Sequence, residues 1–558
     1  MVRATFSGFN TALSALQANQ KRLDITGQNL SNMNTAGYTR QQLEASSLNY
    51  TNPVSHYSNG NETAVGFGVS MDRVSQIRDP YLDIQYRSQS ADCSYTNRLQ
   101  TALNSLSKVL DETTISGIRQ AFDDVQSTLT SMQDPAKVSD PIYESELRTK
   151  MQSVCNLFNQ ASRQITQAEQ NEFQRLTGEG SSEQGDVQKI NDILRQIGDL
   201  NVQIKRNQIA GHPSLELQDE RNLLLDELSG YIPVETRYYK DDAHSGNNAY
   251  DYDANGAVIG KKDWPDDLEV SMNYIDAQGK SQKLILVNGS DLGANGLTKN
   301  YGQLSVLKGD RQTAASVSDP ADISIKFEKA PSYKGNGQAA ADVYAELKGI
   351  HFEGGSLQAS LDMLQKTGTG NVIKGSTAVD DVRGYQYYSG KLDQLASTFA
   401  ESMNDINNNG KNPKDQNLLS NSTDDSTTGI TAGNIGISKG WTSGTVHIST
   451  NGTNRTDTVL DMIAAMKDTK KLNGKTFADY MNNLSTQLAS DSSSNQTALK
   501  TGTTVLNSIQ DSRDSLSGVS LDEEATNMMA YVSAYNAASR LMTALDEVLN
   551  TLISNTGA

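Results

Sequence analysis

Both ends of this 558-residue chain carry apolar residues that alternate at spacings of four and three. This spacing places one apolar seam along a helix, as in a coiled coil. A seam of such length cannot remain in water, so each terminal helix requires a partner. The two helices either pair with each other or stay unpaired until copies of the chain assemble. The predicted assembly-seam residues are Phe6, Phe9, Leu13, Leu16, Leu23 and Leu30, then Leu521, Met528, Val532, Tyr535, Met542, Leu545 and Leu549.

The pattern between the ends changes twice along the chain. Further helical seams precede residue 231, strand-like alternation follows it, and helical periodicity returns after residue 352. The sequence therefore predicts a multi-domain, mainly α protein with coiled-coil terminal helices, a helical bundle built from both chain halves and an inserted β-rich domain. The predicted domains are residues 1–60 with 516–558 (terminal helices and a connector), 61–230 with 353–515 (helical bundle with a short β-hairpin) and 231–352 (an outward-facing β domain).

Charge and hydropathy exclude several classes of function. The formal net charge is −18 and the sequence pI is about 4.8, so the net field repels nucleic acid and anionic membranes. The sequence has no 18-residue apolar segment, which predicts no membrane insertion. Its first residues lack the features of a cleaved signal peptide. Cys93 and Cys155 fall inside helical patterns, where buried free thiols and a disulfide both remain possible.

The motifs that could carry chemistry are incomplete. Asp251, Asp253 and Asn255 have the spacing of a calcium loop, but Lys262 stands where the bidentate Glu is needed. A hairpin turn is the favoured reading of this stretch, and a weak calcium site is the alternative. The five histidines have no zinc-protease spacing. We therefore predict no enzyme activity, no catalytic residues, no metal site and no cofactor.

The first seam runs into an Asn-rich loop, "QNLSNMNTAGYTRQ". This loop is either a ligand-binding segment or a connector of fixed shape. No acid or base partner can be assigned to it, whereas Asn side chains turn the backbone and Gly accepts positive φ. We therefore predict a connector that sets the angle between the inner helix and the rest of the chain. Its predicted residues are Asn29, Asn32, Asn34, Thr35, Gly37 and Tyr38.

The connector and four further stretches resemble the axial-protein family of the bacterial flagellum, which includes rod, hook and hook–filament junction subunits. The stretches are "DEEATNMMAYVSAYNAASR", "GFGVSMDRVSQIRDPYLDIQYR", "LQDERNLLLDELS" and "GGSLQASLDMLQ". The acidic C-terminal stretch and "LQDERNLLLDELS" are more similar to a junction subunit than to a hook or rod subunit. The resemblance implies a structural adaptor between hook and filament, present in multiple copies, extracellular, and exported through the flagellar type III channel.

The resemblance also implies partners. These are the hook protein, a second hook–filament junction protein, further copies of this chain, and an export chaperone that binds the C-terminal helix before assembly. The candidate chaperone contacts are Leu521, Met528, Val532, Tyr535, Leu545 and Leu549, read as an apolar face that enters a groove. The alternatives are another axial subunit, such as a hook-like one, and a secreted enzyme or adhesin module displayed on a flagellar scaffold.

Overall fold

The structure is a computed structural model of the chain. It describes residues 7–48, 68–110, 112–210, 212, 214–240, 250–252, 258–261, 266–275, 280–289, 299–330, 343–345, 354–371, 380–408, 416–450 and 452–556. Predicted seam residue Phe6 and predicted loop residues Asp253 and Asn255 lie outside these ranges.

Helices dominate the described residues, which confirms the mainly α prediction. The helices are α1 (Ser7–Asn32), α2 (Pro80–Val109), α3 (Glu112–Ser131), α4 (Pro135–Val138), α5 (Pro141–Thr177), α6 (Asp186–Ile209), α7 (Leu215–Tyr231), α8 (Ser356–Gln365), α9 (Tyr385–Asn408), α10 (Lys439–Ser443), α11 (Asp457–Lys467), α12 (Phe477–Ser517) and α13 (Leu521–Thr556).

The strands form small antiparallel sheets. They are β1 (Gln41–Ser47), β2 (Val69–Gln76), β3 (Glu235–Lys240), β4 (Tyr250–Tyr252), β5 (Val258–Lys261), β6 (Asp266–Ile275), β7 (Ser281–Asn288), β8 (Gln303–Lys308), β9 (Ile323–Glu328), β10 (Val343–Ala345), β11 (Leu419–Asn421) and β12 (Ile435–Ile437). The sheet orders are β1-β2, β3-β6-β7, β4-β5, β10-β9-β8 and β11-β12.

Local sequence explains where several helices begin and end. Asp79, Asp134 and Asp140 each precede a proline, and each side chain accepts a hydrogen bond from a backbone N–H of the first turn. Proline is favoured at this position because its missing N–H would be unpaired there in any case. Helix α5 ends at Gly178, whose φ of 76° is left-handed, a conformation that glycine adopts without a Cβ clash.

Helices α1 and α13 pack against each other antiparallel. A Cβ placed on Gly8 would lie 3.3 Å from Leu545 Cδ1, and Arg22 lies over the ring of Tyr531 at 5.6 Å from its centroid. The β1–β2 hairpin also packs on α1, and the Val69 N–H donates to Ser14 Oγ at 3.3 Å. The terminal unit, defined as α1, α13 and this hairpin, is therefore built from both chain ends. The β1–β2 ladder crosses the boundary predicted between residues 60 and 61.

The body of the molecule is the helical remainder with its strands. Helix α12 runs antiparallel along α2, where Asn495 Nδ2 donates to the Thr96 carbonyl at 2.9 Å and Gln100 Nε2 to Ser492 Oγ at 2.8 Å. The deep core of the bundle contains an aromatic cluster from four elements, with ring-centroid separations of 5.2–5.9 Å. Its members are Phe122, Phe158, Phe399 and Phe477. Such edge-to-face and stacked rings bury large apolar areas.

Strands β6, β7 and β8 pack on helix α6, and buried residues of β6, β7, β8 and β9 share one continuous core with the bundle. The alternation in β6 and β9 buries Leu268, Val270 and Ile325 as predicted. Asn191 of α6 exchanges two hydrogen bonds with the Leu304 backbone, at 2.8 and 2.7 Å. The boundary predicted between residues 230 and 231 is thus a change from helix to strand within one core.

Three smaller sequence predictions fall on described residues. Cys93 and Cys155 are both free and buried, and burial raises the pKa of the Cys155 thiol to about 12. The short hairpin expected after residue 429 pairs β12 with β11, which comes from before that stretch. Strands β4 and β5 pair antiparallel on either side of the stretch interpreted as a hairpin turn, and Asp251 lies in β4.

Candidate functional site

The connector turns the chain out of helix α1 through two consecutive backbone hydrogen bonds. The Thr35 N–H donates to the Asn32 carbonyl at 2.9 Å, and the Tyr38 N–H donates to the Thr35 carbonyl at 3.2 Å. Gly37 has a φ of +77°, with Leu223 of α7 packed beside it. An L-residue side chain is strained at this φ, so glycine is required by the turn itself.

Asn29 closes this turn from inside the last part of α1. Its amide Nδ2 donates to the Gln41 carbonyl at 3.0 Å, while its Oδ1 accepts from the Gln41 N–H at 3.0 Å and from the Tyr38 hydroxyl at 2.9 Å. Asn29 is 1% exposed, and a buried backbone group left without these bonds would be costly. Burial and nearby carboxylates raise the pKa of Tyr38 well above its ordinary value, so its hydroxyl stays a donor.

Thr39 anchors the connector to helix α7. Asp219 accepts from the Thr39 N–H at 3.0 Å and from the Thr39 hydroxyl at 2.6 Å, through its two carboxylate oxygens. Burial raises the pKa of Asp219 despite these two bonds and the positive charge of Arg78. Arg78 Nη1 lies 3.8 Å from Asp219 Oδ1. The connector is therefore fixed to the body by paired polar groups.

Arg40 joins the connector to the C-terminal half of the chain. Its N–H donates to the Ser517 carbonyl at 2.9 Å. Its guanidinium contacts Glu523 Oε2 and Glu524 Oε1, each at 2.8 Å. Glu524 is buried, and buried or partly buried pairs are screened far less than exposed ones. These acidic residues also lie in the first turn of α13, where the helix dipole favours negative charge.

A second charged group lies behind the connector and joins α2, α7 and α12. Arg513 Nη2 contacts Asp83 Oδ1 at 3.0 Å and Asp226 Oδ2 at 2.7 Å, and its guanidinium stacks over the Tyr86 ring at 4.3 Å. Arg87 Nε contacts Asp226 Oδ1 at 2.8 Å. These pairs fix the end of α12 beside the point where the connector contacts the body.

We define the connector node as the set that links α1, α7 and the start of α13. Its members are Asn29, Gly37, Tyr38, Thr39, Arg40, Asp219, Glu523 and Glu524. Three stretches that are far apart in sequence meet here: the Asn-rich loop, "LQDERNLLLDELS" and the acidic start of α13. The only chain passages between terminal unit and body in the described residues run beside this node, at 76–80 and 517–521.

The predicted connector residues differ in their environments. Asn29 and Tyr38 hold the turn, and Asn32 bonds locally to the Gln28 carbonyl and to the Thr35 hydroxyl, at 3.0 and 3.3 Å. Asn34 is exposed, and its side chain has no hydrogen bond within the described part of the chain. The sequence did not single out Asp219, although the stretch that contains it was recognised as a motif.

The predicted seams lie partly between α1 and α13 and partly on the outside of the terminal unit. Leu13 is 46% exposed and Leu521 51% exposed, and Val532 is also exposed. Small residues face inward on α1, with Ala12 and Ala18 buried, because they allow the hairpin and α13 to approach closely. The half-buried predicted seam residues are Phe9, Leu16, Leu23, Leu30, Met528, Met542, Leu545 and Leu549, and Tyr535 is at the edge of exposure.

Two features that the described residues lack bear on other kinds of site. These residues contain no group of three or more His, Cys, Asp or Glu side chains placed to hold a metal ion. They also contain no helix with the length and apolar character needed to cross a bilayer.

Family models for flagellar rod proteins match the two ends that meet at the node. The model described as "Flagella basal body rod protein" matches residues 9–39, and "Flagellar basal body rod FlgEFG protein C-terminal" matches residues 512–555. The fold and its node are therefore those of an axial protein of the bacterial flagellum. The model "Flagellar hook-associated protein FlgK helical domain" matches residues 103–418, more than half of the chain. This chain belongs to the FlgK family, the family of flagellar hook-associated protein 1.

Individual relatives carry the same name. The chain is 28% identical over 572 residues to "Flagellar hook-associated protein 1" of Bacillus subtilis (strain 168), covering 99% of each chain. It is 29% identical over 230 residues to the protein of that name from Salmonella typhimurium, covering 40% of this chain and 38% of the relative. The solved flagellar hook junction protein FlgK from Burkholderia pseudomallei matches with a TM-score of 0.38 and 19% identity, over 61% of this chain and 44% of that one.

Proposed function

We propose that this chain is a structural subunit of the junction between the flagellar hook and filament. Many copies would form a short tubular zone, with the terminal units innermost and the body outside them. The relatives named above are hook-associated and hook junction proteins, and a structural role in the flagellum follows from family membership. Its proposed neighbours are the hook protein, a second hook–filament junction protein and other copies of itself.

The connector node is the observation that carries this proposal. A subunit in a tube must present its inner helices to neighbours at one fixed angle, because heterologous contacts repeat the same geometry in every copy. At the node, Asn29, Thr39 and Arg40 tie the end of α1 to the start of α13 and to α7. These contacts hold backbone groups in place, which supports a role for the node in setting the shape of the subunit.

The apolar residues on the outside of the terminal unit are the proposed contacts between copies. Several large apolar side chains of α13 are exposed along its length, and exposed apolar surface of this kind usually marks an interaction surface. The exposed set of the terminal unit is Leu13, Leu521, Met529, Val532, Leu541, Val548 and Ile553. We propose that each copy covers these side chains with the terminal units of its neighbours.

An export chaperone is the proposed partner of α13 before assembly. Leu521, Val532 and Tyr535 are exposed and available for helix-in-groove binding. Met528, Leu545 and Leu549 are half-buried on the α1 side, so binding through them requires α13 to leave α1. The proposed location is extracellular, within the flagellum, after export without a cleaved signal.

Deletion of the gene tests the proposal. Cells without the product should assemble hooks that carry no filaments and should release flagellin into the medium, and expression of the intact chain should restore filaments. Intact filaments in the deletion strain would contradict the proposal.

A further inference from the structure

A cleft of about 880 Å³ lies where the terminal unit meets the body on the hairpin side. Its walls are the β2 strand, the start of α2, the ends of α6 and α7 that face each other, and strand β3. We name it the hairpin cleft. It is distinct from the cavity at the connector node, although Arg78, Asp83 and Asn222 line both.

The hairpin cleft is rich in positive charge, although the chain as a whole is acidic at −18. Five cations line it, against two carboxylates, Asp72 and Asp83. The cations are Lys21, Arg73, Arg78, Arg87 and Arg221. Three of them have carboxylate partners, since Arg73 pairs with Glu44 at 2.7 Å, Arg78 with Asp83 at 2.5 Å and Arg87 with Asp226 at 2.8 Å.

Arg221 is a buried cation without a carboxylate partner among the described residues. It is 3% exposed, its Nη1 donates to Asn201 Oδ1 at 2.8 Å, and the Tyr238 ring centroid lies 5.6 Å from its Cζ. Its Nε is buried and has no hydrogen-bond partner in the described part of the chain. A buried charge is costly unless it is hydrogen-bonded and paired with an opposite charge. The Arg221 guanidinium lacks the opposite charge.

The groups around Arg221 increase its need for a counter-charge. Burial lowers the pKa of Arg221, a hydrogen bond with the Tyr238 side chain partly opposes this, and the positive charges of Arg87 and Arg78 lower the pKa further. Lys21, on the terminal-unit side of the cleft, also has no ion pair within the described ranges. Two cations, one on each side of the cleft, are therefore left for an external anion.

We propose that the hairpin cleft binds a carboxylate, which supplies the counter-charge to Arg221 and Lys21. A planar guanidinium is suited to a carboxylate because it offers parallel N–H donors. The carboxylate comes either from a free organic anion or from an acidic side chain of a neighbouring copy. A side chain from a neighbouring copy rests on the proposed function, whereas a free anion is independent of it.

Binding at this place would stiffen the molecule. Lys21 belongs to α1 and Arg73 to the hairpin, whereas Arg87 and Arg221 belong to α2 and α7 of the body. A carboxylate between them would link the terminal unit to the body at a point beside the connector node. Anion binding would thus add to the node in fixing the angle between the two parts.

Thermal unfolding of the full-length protein in sodium malonate and in sodium chloride of equal ionic strength tests the proposal. Malonate should raise the midpoint for the wild type more than chloride does, because a ligand that binds the folded state stabilises it. The general salt effect of malonate on burial is shared by every variant, so the malonate-specific shift is the excess over the shift that Arg221→Met shows. Arg221→Met should therefore show a smaller malonate shift than the wild type and, in chloride, should be at least as stable as the wild type. Lys21→Gln, at an exposed position, should keep the fold and weaken malonate binding. Arg195→Gln, on the exposed face of α6, is the matched control and should respond like the wild type.

Sedimentation at increasing protein concentration identifies the source of the carboxylate. If malonate dissolves the self-association and Arg221→Met removes it, the carboxylate belongs to a neighbouring copy. If malonate binds and self-association is unchanged, the ligand is a free anion. Equal midpoints in malonate and chloride, or an unchanged malonate shift in Arg221→Met, would overturn the inference. If the Arg221→Met variant still restored filaments to the deletion strain, the proposed function would stand even though the carboxylate inference had failed.

Discussion

Asn29 shows how one side chain can fix the path of a backbone. Its amide satisfies the Gln41 N–H and carbonyl as a strand pair would, and also accepts from the Tyr38 hydroxyl. The chain can therefore leave α1, turn at Gly37 and enter β1 without a buried backbone group losing its partner. No other side chain of similar size offers both a donor and an acceptor at these places.

Asn29→Ala should open the connector. The change removes the partners of two backbone groups and one hydroxyl, at about 1–3 kcal/mol for each buried group left unpaired. A loss of about 2 kcal/mol corresponds to roughly 30-fold more of the opened form. Limited proteolysis within residues 33–41 measures it. Asn34→Ala, at an exposed neighbour, is the control, and equal cleavage rates for the two variants would contradict the role given to Asn29.

Gly37→Val should strain the turn, since φ at this position is +77°. A left-handed conformation costs an L-residue about 1–2 kcal/mol, and a β-branched one more. We expect reduced motility and faster amide exchange at residues 38–41. Gly37→Asn should be milder because Asn tolerates this region. Gly27→Ala, in the interior of α1 with open space around it, is the control. Normal motility with Gly37→Val would count against the connector account.

Asp83 gives the charged group behind the connector a dependence on pH. Burial raises its pKa, but the hydrogen bond from Arg78 and the charges of Arg78, Arg513 and Arg87 outweigh burial, so the pKa lies below its ordinary value. A carboxyl with a lowered folded-state pKa stabilises the fold above its unfolded pKa of about 3.9, and this stability is lost as pH falls through the folded value.

Asp83→Asn should therefore make stability depend less on pH in acid, where we call the fall in stability the acid limb. The midpoint of thermal unfolding should fall less steeply below about pH 4 in this variant than in the wild type, and should be lower at neutral pH because Arg78 and Arg513 lose a partner. Asp199→Asn, an exposed carboxylate on α6, should keep the wild-type profile. A wild-type acid limb in Asp83→Asn would show that this carboxylate contributes nothing.

At the scale of elements, the two faces of α13 have different tasks. Leu545 faces α1 beside Gly8, whereas Val548 is 60% exposed on the outside. The same helix therefore carries a face for its own chain and a face that is free in the single subunit.

Leu545→Asp and Val548→Asp should separate these tasks. Leu545→Asp places a charge between α1 and α13, so circular dichroism should show less helix and incorporation into flagella should fail while the strands between 235 and 345 remain folded. Val548→Asp should change the free energy of unfolding by no more than about 0.5 kcal/mol, as surface changes do, yet should also block incorporation. Normal incorporation of either variant would contradict the assignment of its face.

The sequence predicted elements better than it predicted their partners. The helical seams and the strand-like alternation after residue 231 follow from local periodicity. The node depends on contacts such as Thr39 with Asp219 and Arg40 with Glu524, which join residues 180 and 484 positions apart. No local rule selects one carboxylate among 66 acidic residues. The β1–β2 hairpin was missed because its two strands are separated by residues 48–68, so no tight-turn signal marks the pair.

At the scale of the whole molecule, both ends of the chain return to one place. Helices α1 and α13 form the terminal unit, the connector node joins it to α7, and the bundle and strands continue in one core. A molecule built in this way presents the exposed apolar side chains of its terminal unit at one fixed angle to the body, which suits the proposed tubular assembly.

The position of the chain in the flagellum is the most direct test of its proposed role. An epitope inserted in the exposed turn between Asp310 and Thr313, labelled with gold on isolated flagella, reports that position by electron microscopy. The account predicts gold only at the boundary between hook and filament. Gold along the filament, along the hook or within the rod would contradict it.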